Sequence, residues 1–408
     1  MRACRDVPAV THWPGGRLLG PLTRRPLHAD APHSLAAEGA GRGERWPVVD
    51  GIPFLRADRR VLADAALDAL DAGDRDGALV LLLGDQDGWA RTPPPDEEAR
   101  RTLVRDAGRL SFREAMELLA FGPVATYFAH RWTDPTFLSG LALVEAHRGE
   151  AGASSGGEDR DAAGWVFELA CGAGHYLREF ARLTPDVAGG DLVFAKLWLA
   201  RHWIAPGARL LCFDAAAPWP LADAAAKLVF CHDALYFLPQ KPHVAAEMLR
   251  VAGPGGRVLV GHAHNALVDN LSAGEPLAPA DYAALFGTPL LYDDRELTAA
   301  LVEGRAPRPA PAEALADAPA VAMAAGAGEP RPVLGGLAVP PPGAALRRNP
   351  LYAGSDVRWP SERYEREYGP LATYPAHAEA PERAVAGADP ATDALARRRV
   401  LVSLPERW

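Results

Sequence analysis

Two sets of residues in this sequence have the types and spacing for chemistry. Glu168, Asp191 and Asp214 each close a short apolar run. His232 and Asp233 follow a further run, and His262, His264 and Asn265 follow another, in the string GHAHN. Imidazole titrates near neutrality and can take a hydroxyl proton. His232 and His264 are therefore the expected bases, and His262, Asn265 and Tyr236 the expected substrate contacts. Residues 262 and 264 share a strand face, so joint burial is the competing reading. In open α/β sheets a ligand sits beyond the carboxyl ends of the strands, where all of these residues would gather.

The elements that must position them can be read in order. Trp165–Leu169 is an apolar run ending near an acid, as a buried parallel strand would be. Ala170-Cys171-Gly172-Ala173-Gly174 is a small-residue turn that lets a ligand approach the backbone. Tyr176, Leu177, Phe180 and Leu183 then recur at helical spacing, and a second apolar run closes on Asp191. Strand, glycine turn, helix, strand and acid make a nucleoside-binding βαβ unit. The dinucleotide fingerprint G-x-G-x-x-G fails at Leu177. The pattern acid-x-G-x-G-x-G fits Glu168, Ala170, Gly172 and Gly174, with alanine in place of the first glycine.

This unit resembles the first motif of class I S-adenosylmethionine (SAM) methyltransferases of the small-molecule type. The likeness continues down the chain. Ala208–Phe213 is a third strand before Asp214, and Lys227–Cys231 a fourth. EMLRV at 247–251 ends a helix, and Gly253-Pro254-Gly255-Gly256 turns into a fifth strand, Arg257–Gly261. The resemblance implies SAM as cofactor and an α/β, Rossmann-like seven-stranded sheet. It implies cofactor contacts from Glu168, Ala170, Cys171, Gly172, Gly174, Asp191, Leu192, Asp214, Ala215 and Cys231. Glu168 would serve the ammonium end, Asp191 the ribose hydroxyls and Asp214 the adenine amino group. Tyr127 and Arg131, in helices ahead of the first core strand, would touch the methionine end. No metal site is implied.

Around this core the chain divides into four stretches. Residues 1–60 end in RWPVVDGIPFLR, which resembles the close of a small zinc-ribbon domain that partners or precedes some methyltransferases. The ribbon's cysteine pairs are absent and Cys4 stands alone, so a degenerate, metal-free β-module is expected. Residues 61–150 read as a helical lid, with a capping box from Ser111 and Glu114. Residues 151–330 hold the core, including a helical pair inserted after the fifth strand over 271–304; the Pro-, Ala- and Gly-rich stretch that follows reads either as linker or, at 320–325, as a small-residue sixth strand, which periodicity does not decide. Residues 331–408 form an extension rich in aromatics and arginines, a substrate cover or a dimer interface. Val400–Leu404 is the expected seventh strand.

Whole-chain features limit the function further. The 408 residues are 49% apolar and 23% charged, ordinary for a globular protein. The formal charge of −9 argues against a broad nucleic-acid face. No run reaches the length of a membrane span, and a cytoplasmic location is expected. The expected activity is O-methylation of a small metabolite or sugar-bearing intermediate by a monomer or homodimer. An RNA or tRNA methyltransferase, or a SAM-fold binding subunit without turnover, are the alternatives.

Overall fold

The computed structural model describes residues 13–39, 41–90, 92–148, 164–270 and 273–408. Cys4 and residues 149–163 of the Gly-rich stretch lie outside them. Strands β1 (Leu27–Ala31), β2 (Ser34–Ala37), β3 (Arg45–Val49) and β4 (Ile52–Pro53) form a four-stranded antiparallel sheet in chain order. Asp50 and Gly51 turn β3 into β4 with φ of 53° and 73°, the positive pair that a type I′ hairpin requires. Beyond β4 the chain joins a second sheet: Phe54 bridges Cys212 in parallel, and the Leu55 N–H donates to the Cys212 carbonyl at 2.7 Å.

A helical layer follows. It comprises α1 (Arg60–Asp71), α2 (Arg75–Leu82), α3 (Glu97–Asp106), α4 (Phe112–Leu118), α5 (Pro123–His130) and α6 (Pro135–His147). The Ser111–Glu114 capping box is present at the start of α4. Every residue of α6 is buried, as its nearly all-round apolar sequence demands.

The core sheet has seven strands: β5 (Val166–Leu169), β6 (Val187–Asp191), β7 (Arg209–Cys212), β8 (Leu228–His232), β9 (Arg257–His264), β10 (Leu290–Asp293) and β11 (Ala320–Ala325). Their order is β10-β11-β9-β8-β5-β6-β7, with β11 antiparallel to both neighbours and β9 through β7 parallel. The helices α7 (His175–Phe180), α8 (Phe194–Leu199) and α9 (Lys241–Ala252) connect the parallel strands. The Rossmann-like seven-stranded sheet expected from the sequence is present.

Two strand expectations change. The segment expected as an inserted helical pair contains helices α10 (Pro279–Leu285) and α11 (Asp294–Glu303), but between them lies β10, at the edge of the sheet. Leu290–Asp293 has only four residues, too few for periodicity to reveal. Val400–Leu404 does not join the core. In the extension, β12 (Ala345–Arg348) pairs with β15 (Arg383–Val385) and with β16 (Leu401–Val402) in a separate three-stranded sheet. The extension also holds the hairpin β13 (Tyr352–Ala353) and β14 (Asp356–Val357), and helices α12 (Glu362–Tyr368) and α13 (Pro390–Arg397). Its end latches the helical layer: Trp408 Nε1 donates to the Ala129 carbonyl at 2.7 Å, and the Phe112 N–H donates to the Arg407 carbonyl at 2.7 Å.

Candidate active site

The site begins at the carboxyl ends of β5, β6 and β7. Ala170, Gly172 and Gly174 all take left-handed φ, at 53°, 54° and 84°. The alanine in place of the motif's first glycine thus adopts the glycine conformation, at a cost of about 1–2 kcal/mol. The turn is tied to its neighbour through the backbone. Cys171 N–H donates to the Gly190 carbonyl at 3.0 Å, and Asp191 accepts from the Gly172 N–H through Oδ2 and from the Val193 N–H through Oδ1, both at 2.9 Å. A Cβ on Gly172 would meet the Phe128 ring at 3.3 Å, so α5 lies directly over the turn.

Glu168 is buried, and its Oε2 has no hydrogen-bond partner. Burial, with the charge of Asp191 added, raises its pKa against the opposing pull of Arg131. An unpartnered buried acceptor beside a glycine turn suits a donor brought by a ligand. Asp214 stands two residues past β7. Its Oδ1 accepts from the Ala216 N–H at 2.9 Å, and it lines a small cleft with Leu55, Ala57, Phe213, Ala217 and Pro218. The Leu192 carbonyl accepts from Arg56 at 3.1 Å, the Ala215 carbonyl accepts from Trp219 Nε1 at 3.0 Å, and the Cys231 thiol is buried.

The connector after α2 crosses this region. Asp87 pairs with Lys196 at 3.2 Å, and the Trp89 ring meets Phe237 edge-on at 5.4 Å. Burial lowers the Lys196 pKa, but Asp191 and Asp87 together outweigh it and raise the value.

The second half of the site lies at the ends of β8 and β9. Asp233 accepts from the Tyr127 hydroxyl through Oδ2 and from the Tyr236 hydroxyl through Oδ1, each at 2.7 Å. His262 Nδ1 meets Asp294 Oδ2 at 2.6 Å, and Asp294 also accepts from Ser139 Oγ at 2.9 Å. His262 Nε2 faces His264 Nε2 at 3.2 Å and Asp233 Oδ1 at 3.9 Å. The His264 ring stacks on Tyr236 at 4.2 Å. Both histidines fall inside β9, not after it, because the strand runs on to residue 264 through a bulge opposite Val321–Met323. Asp233 and His262 sit at φ of 56° and 50°, strain that functional sites commonly store.

Arg131 ties the helical layer to this second half, and its charge reaches Glu168 in the first. Fully enclosed, it pairs with Asp134 at 3.0 Å, donates to His232 Nδ1 at 3.0 Å, reaches Asp233 at 3.8 Å and lies over the Tyr127 ring at 4.8 Å. Burial would raise the Asp233 pKa, but His262 and Arg131 hold it well below the usual carboxylate range. Burial likewise pulls His262 down, yet Asp233 and Asp294 prevail and raise it to about 9. Burial and the charge of His262 lower His264.

Two sequence expectations do not fit their surroundings. Asn265 is fully buried; its Nδ2 donates to the carbonyls of Leu315, Ala316 and Ala318, and its Oδ1 accepts from the Leu267 N–H. It fixes the chain after β9 and has no face for a substrate. His232 is walled in by Gly140 and Gly261, where an added Cβ would collide with its ring, and its Nδ1 is taken by Arg131. That packing suits a positioning group better than a base. Asp294 escapes the sequence reading, because an Asp-Asp pair before a helix looks like a cap, and Asp293 does cap α11.

A family model described as a methyltransferase domain matches residues 167–260. No curated protein matches the chain. Among solved structures, a putative methyltransferase from Bacillus halodurans is 16% identical, covering 40% of this chain and 88% of its own, with a TM-score of 0.27. A complex of the Haloferax volcanii Trm112 methyltransferase activator and a putative methyltransferase gives 21% identity over 30% of this chain, with a TM-score of 0.27. A SAM-bound amino pentose methyltransferase of calicheamicin biosynthesis from Micromonospora echinaspora gives 31% identity over 25% of this chain, with a TM-score of 0.22. This chain spans 59% of the length of the Haloferax chain and 43% of the Micromonospora chain.

Proposed function

We propose that this chain, whose core is a class I SAM-dependent methyltransferase domain with SAM as its cofactor, methylates an oxygen of a small metabolite or sugar-bearing intermediate. Its whole activity would then be a displacement aligned between the two halves of the site. SAM supplies an electrophilic methyl group. The supporting observation is the unpartnered Glu168 Oε2 beside the left-handed turn at 170–174, on a strand paired with the one that ends at His232.

In this reading Glu168 receives the ammonium end of the cofactor. The turn from Ala170 through Cys171, Gly172 and Gly174 gives its backbone to the same end, with Cys231 closing the floor. Asp191 holds the turns after β5 and β6 together and keeps lone pairs for ribose hydroxyls, with Leu192 beside it. Asp214 and Ala215 serve the base. Phe128, Asp87 and Trp89 exclude water from above.

At the other end the acceptor hydroxyl lies against Asp233, whose depressed pKa keeps it an anion. The hydroxyl proton passes to His264, which its lowered pKa keeps neutral and able to accept, while His262 stays protonated between Asp233 and Asp294. Such proton transfer contributes about 10²–10⁴-fold, while alignment supplies the larger part, up to about 7–11 kcal/mol. Tyr236 positions His264 by stacking, and Arg131 holds Asp233 and His232. The 331–408 extension clamps the helical layer that carries Tyr127 and Arg131, consistent with a substrate cover.

Calorimetric titration with SAM tests the reading, followed by transfer of labelled methyl to small hydroxyl-bearing acceptors and, separately, to RNA. Saturable one-to-one SAM binding and labelling of a small acceptor are expected. Absence of SAM binding by the folded chain overturns the reading, and labelling of RNA alone moves the acceptor class.

A further inference from the structure

The facing imidazoles of His262 and His264, with the Asp233 carboxylate beside them, have the composition of a metal site. We infer that this cluster binds one divalent first-row transition ion, of the class represented by zinc. His262 Nε2, His264 Nε2 and one Asp233 oxygen lie within 4.8 Å of one another. The inference rests on the methyl-transfer reading only for what the ion does, not for where it binds.

Four observations carry it. The first is the distance between the two Nε2 atoms, 3.2 Å. Two nitrogens held about 2.0–2.1 Å from one tetrahedral zinc stand roughly 3.3 Å apart. Two imidazole nitrogens can face each other this closely only across a shared proton or a cation. Asp233 Oδ1, at 3.9 Å from His262 Nε2, completes the triangle with a small swing of the carboxylate.

The second observation lies behind the ligands. Histidines that bind metals almost always donate the other ring N–H to a carboxylate or carbonyl. His262 Nδ1 meets Asp294 Oδ2 at 2.6 Å, and Ser139 donates to the same oxygen at 2.9 Å. That bond fixes the ring with Nε2 turned toward His264 and Asp233. Asp233 is oriented in its turn by the hydroxyls of Tyr127 and Tyr236.

Third, the charges call for a dication. Arg131 is paired with Asp134 at 3.0 Å. Asp233, approached by Arg131 only at 3.8 Å, and Asp294 remain, two buried carboxylates that both face His262. A proton on His262 answers one of them; a divalent ion in place of that proton, with both imidazoles neutral, answers both.

Fourth, the backbone is strained where the ligands attach. Asp233 and His262 both hold left-handed φ without being glycine, a strain of about 1–3 kcal/mol each that the surrounding fold must enforce. Mixed imidazole and carboxylate donors favour ions such as zinc, iron(II), cobalt(II) or nickel over magnesium or calcium. Three protein ligands leave a coordination position open. With the ion in place both Nε2 atoms are ligands, so an acceptor oxygen bound at the open position would be oriented and made acidic enough to release its proton to water, in place of proton uptake by His264.

The test uses the full chain after stripping with a chelator. Zinc chloride is titrated by calorimetry and cobalt(II) chloride by visible absorption, with thermal melts confirming the fold of each variant. One ion per chain is expected, with cobalt(II) giving ligand-field bands in the visible. His264→Gln should abolish the bands. Asp294→Asn, which keeps every direct ligand, should weaken zinc binding about 10–100-fold. Failure of the folded protein to take up either ion overturns the inference and leaves a shared proton between the imidazoles. Uptake unchanged in both variants also overturns it, placing the ion on other histidines. A separate SAM titration keeps the two claims apart: zinc uptake without SAM binding removes the methyl-donor reading alone, and SAM binding without zinc uptake removes the metal site alone.

Discussion

The two ends of the site are built by different means. At β5–β6–β7 the geometry is made by backbone: three left-handed residues in one turn, and a carboxylate, Asp191, that accepts from two main-chain N–H groups. At β8–β9 it is made by side chains from five places, namely α5, the 3₁₀ turn after it, β8, β9 and the start of α11, joined through Arg131 and Asp233. A backbone-built end tolerates substitution of side chains. A side-chain-built end depends on each partner.

The sharpest way to break this contrast is to remove the residue that joins the ends. Arg131→Met leaves Asp134 and Asp233 buried without their cation, and should destabilise the chain by about 3–5 kcal/mol, read by urea unfolding. An effect below about 1 kcal/mol would mean that the two ends are independent. Next comes a pair of isosteric changes. Asp233→Asn should lower kcat by about 10²-fold or more with SAM affinity unchanged. Glu168→Gln should weaken SAM binding by about 1.5–3 kcal/mol and leave the KM for the acceptor unchanged. Crossed effects would erase the division of labour.

Acid should act through buried neutral histidines. Burial lowers His175 to about 3, aided by Arg131 and Arg178, and His147 to about 4, aided by Arg257. Below the unfolded value of about 6.5 the unfolded chain binds protons that the native chain refuses, so stability present above that pH is lost as pH falls toward 4. His175 Nε2 donates to the Phe128 carbonyl at 2.9 Å, over the glycine turn. The loss of stability should therefore be accompanied by weaker SAM binding, measured by unfolding and calorimetry at pH 7, 5.5 and about 4.5. The smallest expected effect is at Ala170, whose φ of 53° glycine adopts freely. Ala170→Gly should stabilise the fold by about 0.5–1 kcal/mol without altering the acceptor end.

The legible and illegible parts of the sequence follow the same division. The glycine turn, its flanking acids and the order of parallel strands were readable because each is a local pattern a few residues long. The capping box at Ser111 was readable for the same reason. Leu290–Asp293 was not, since a four-residue edge strand lacks enough turns of any period. Asn265 was drawn into the site by its neighbours in sequence, whereas three carbonyls from the loop before β11 claim it. Asp294 and Asp87 come to the site through tertiary contacts alone. His262 and His264 were expected together, but their facing geometry depends on a bulge that only the pairing with β11 reveals.

The bridge from Phe54 and Leu55 onto Cys212 means that the outermost parallel strand, β7, is flanked on its free side by the N-terminal chain. A sheet margin left bare invites pairing with whatever strand arrives next. The chain running on from β4 is thus a selvage on the woven core, and cutting it away would leave an edge that pairs with its own kind.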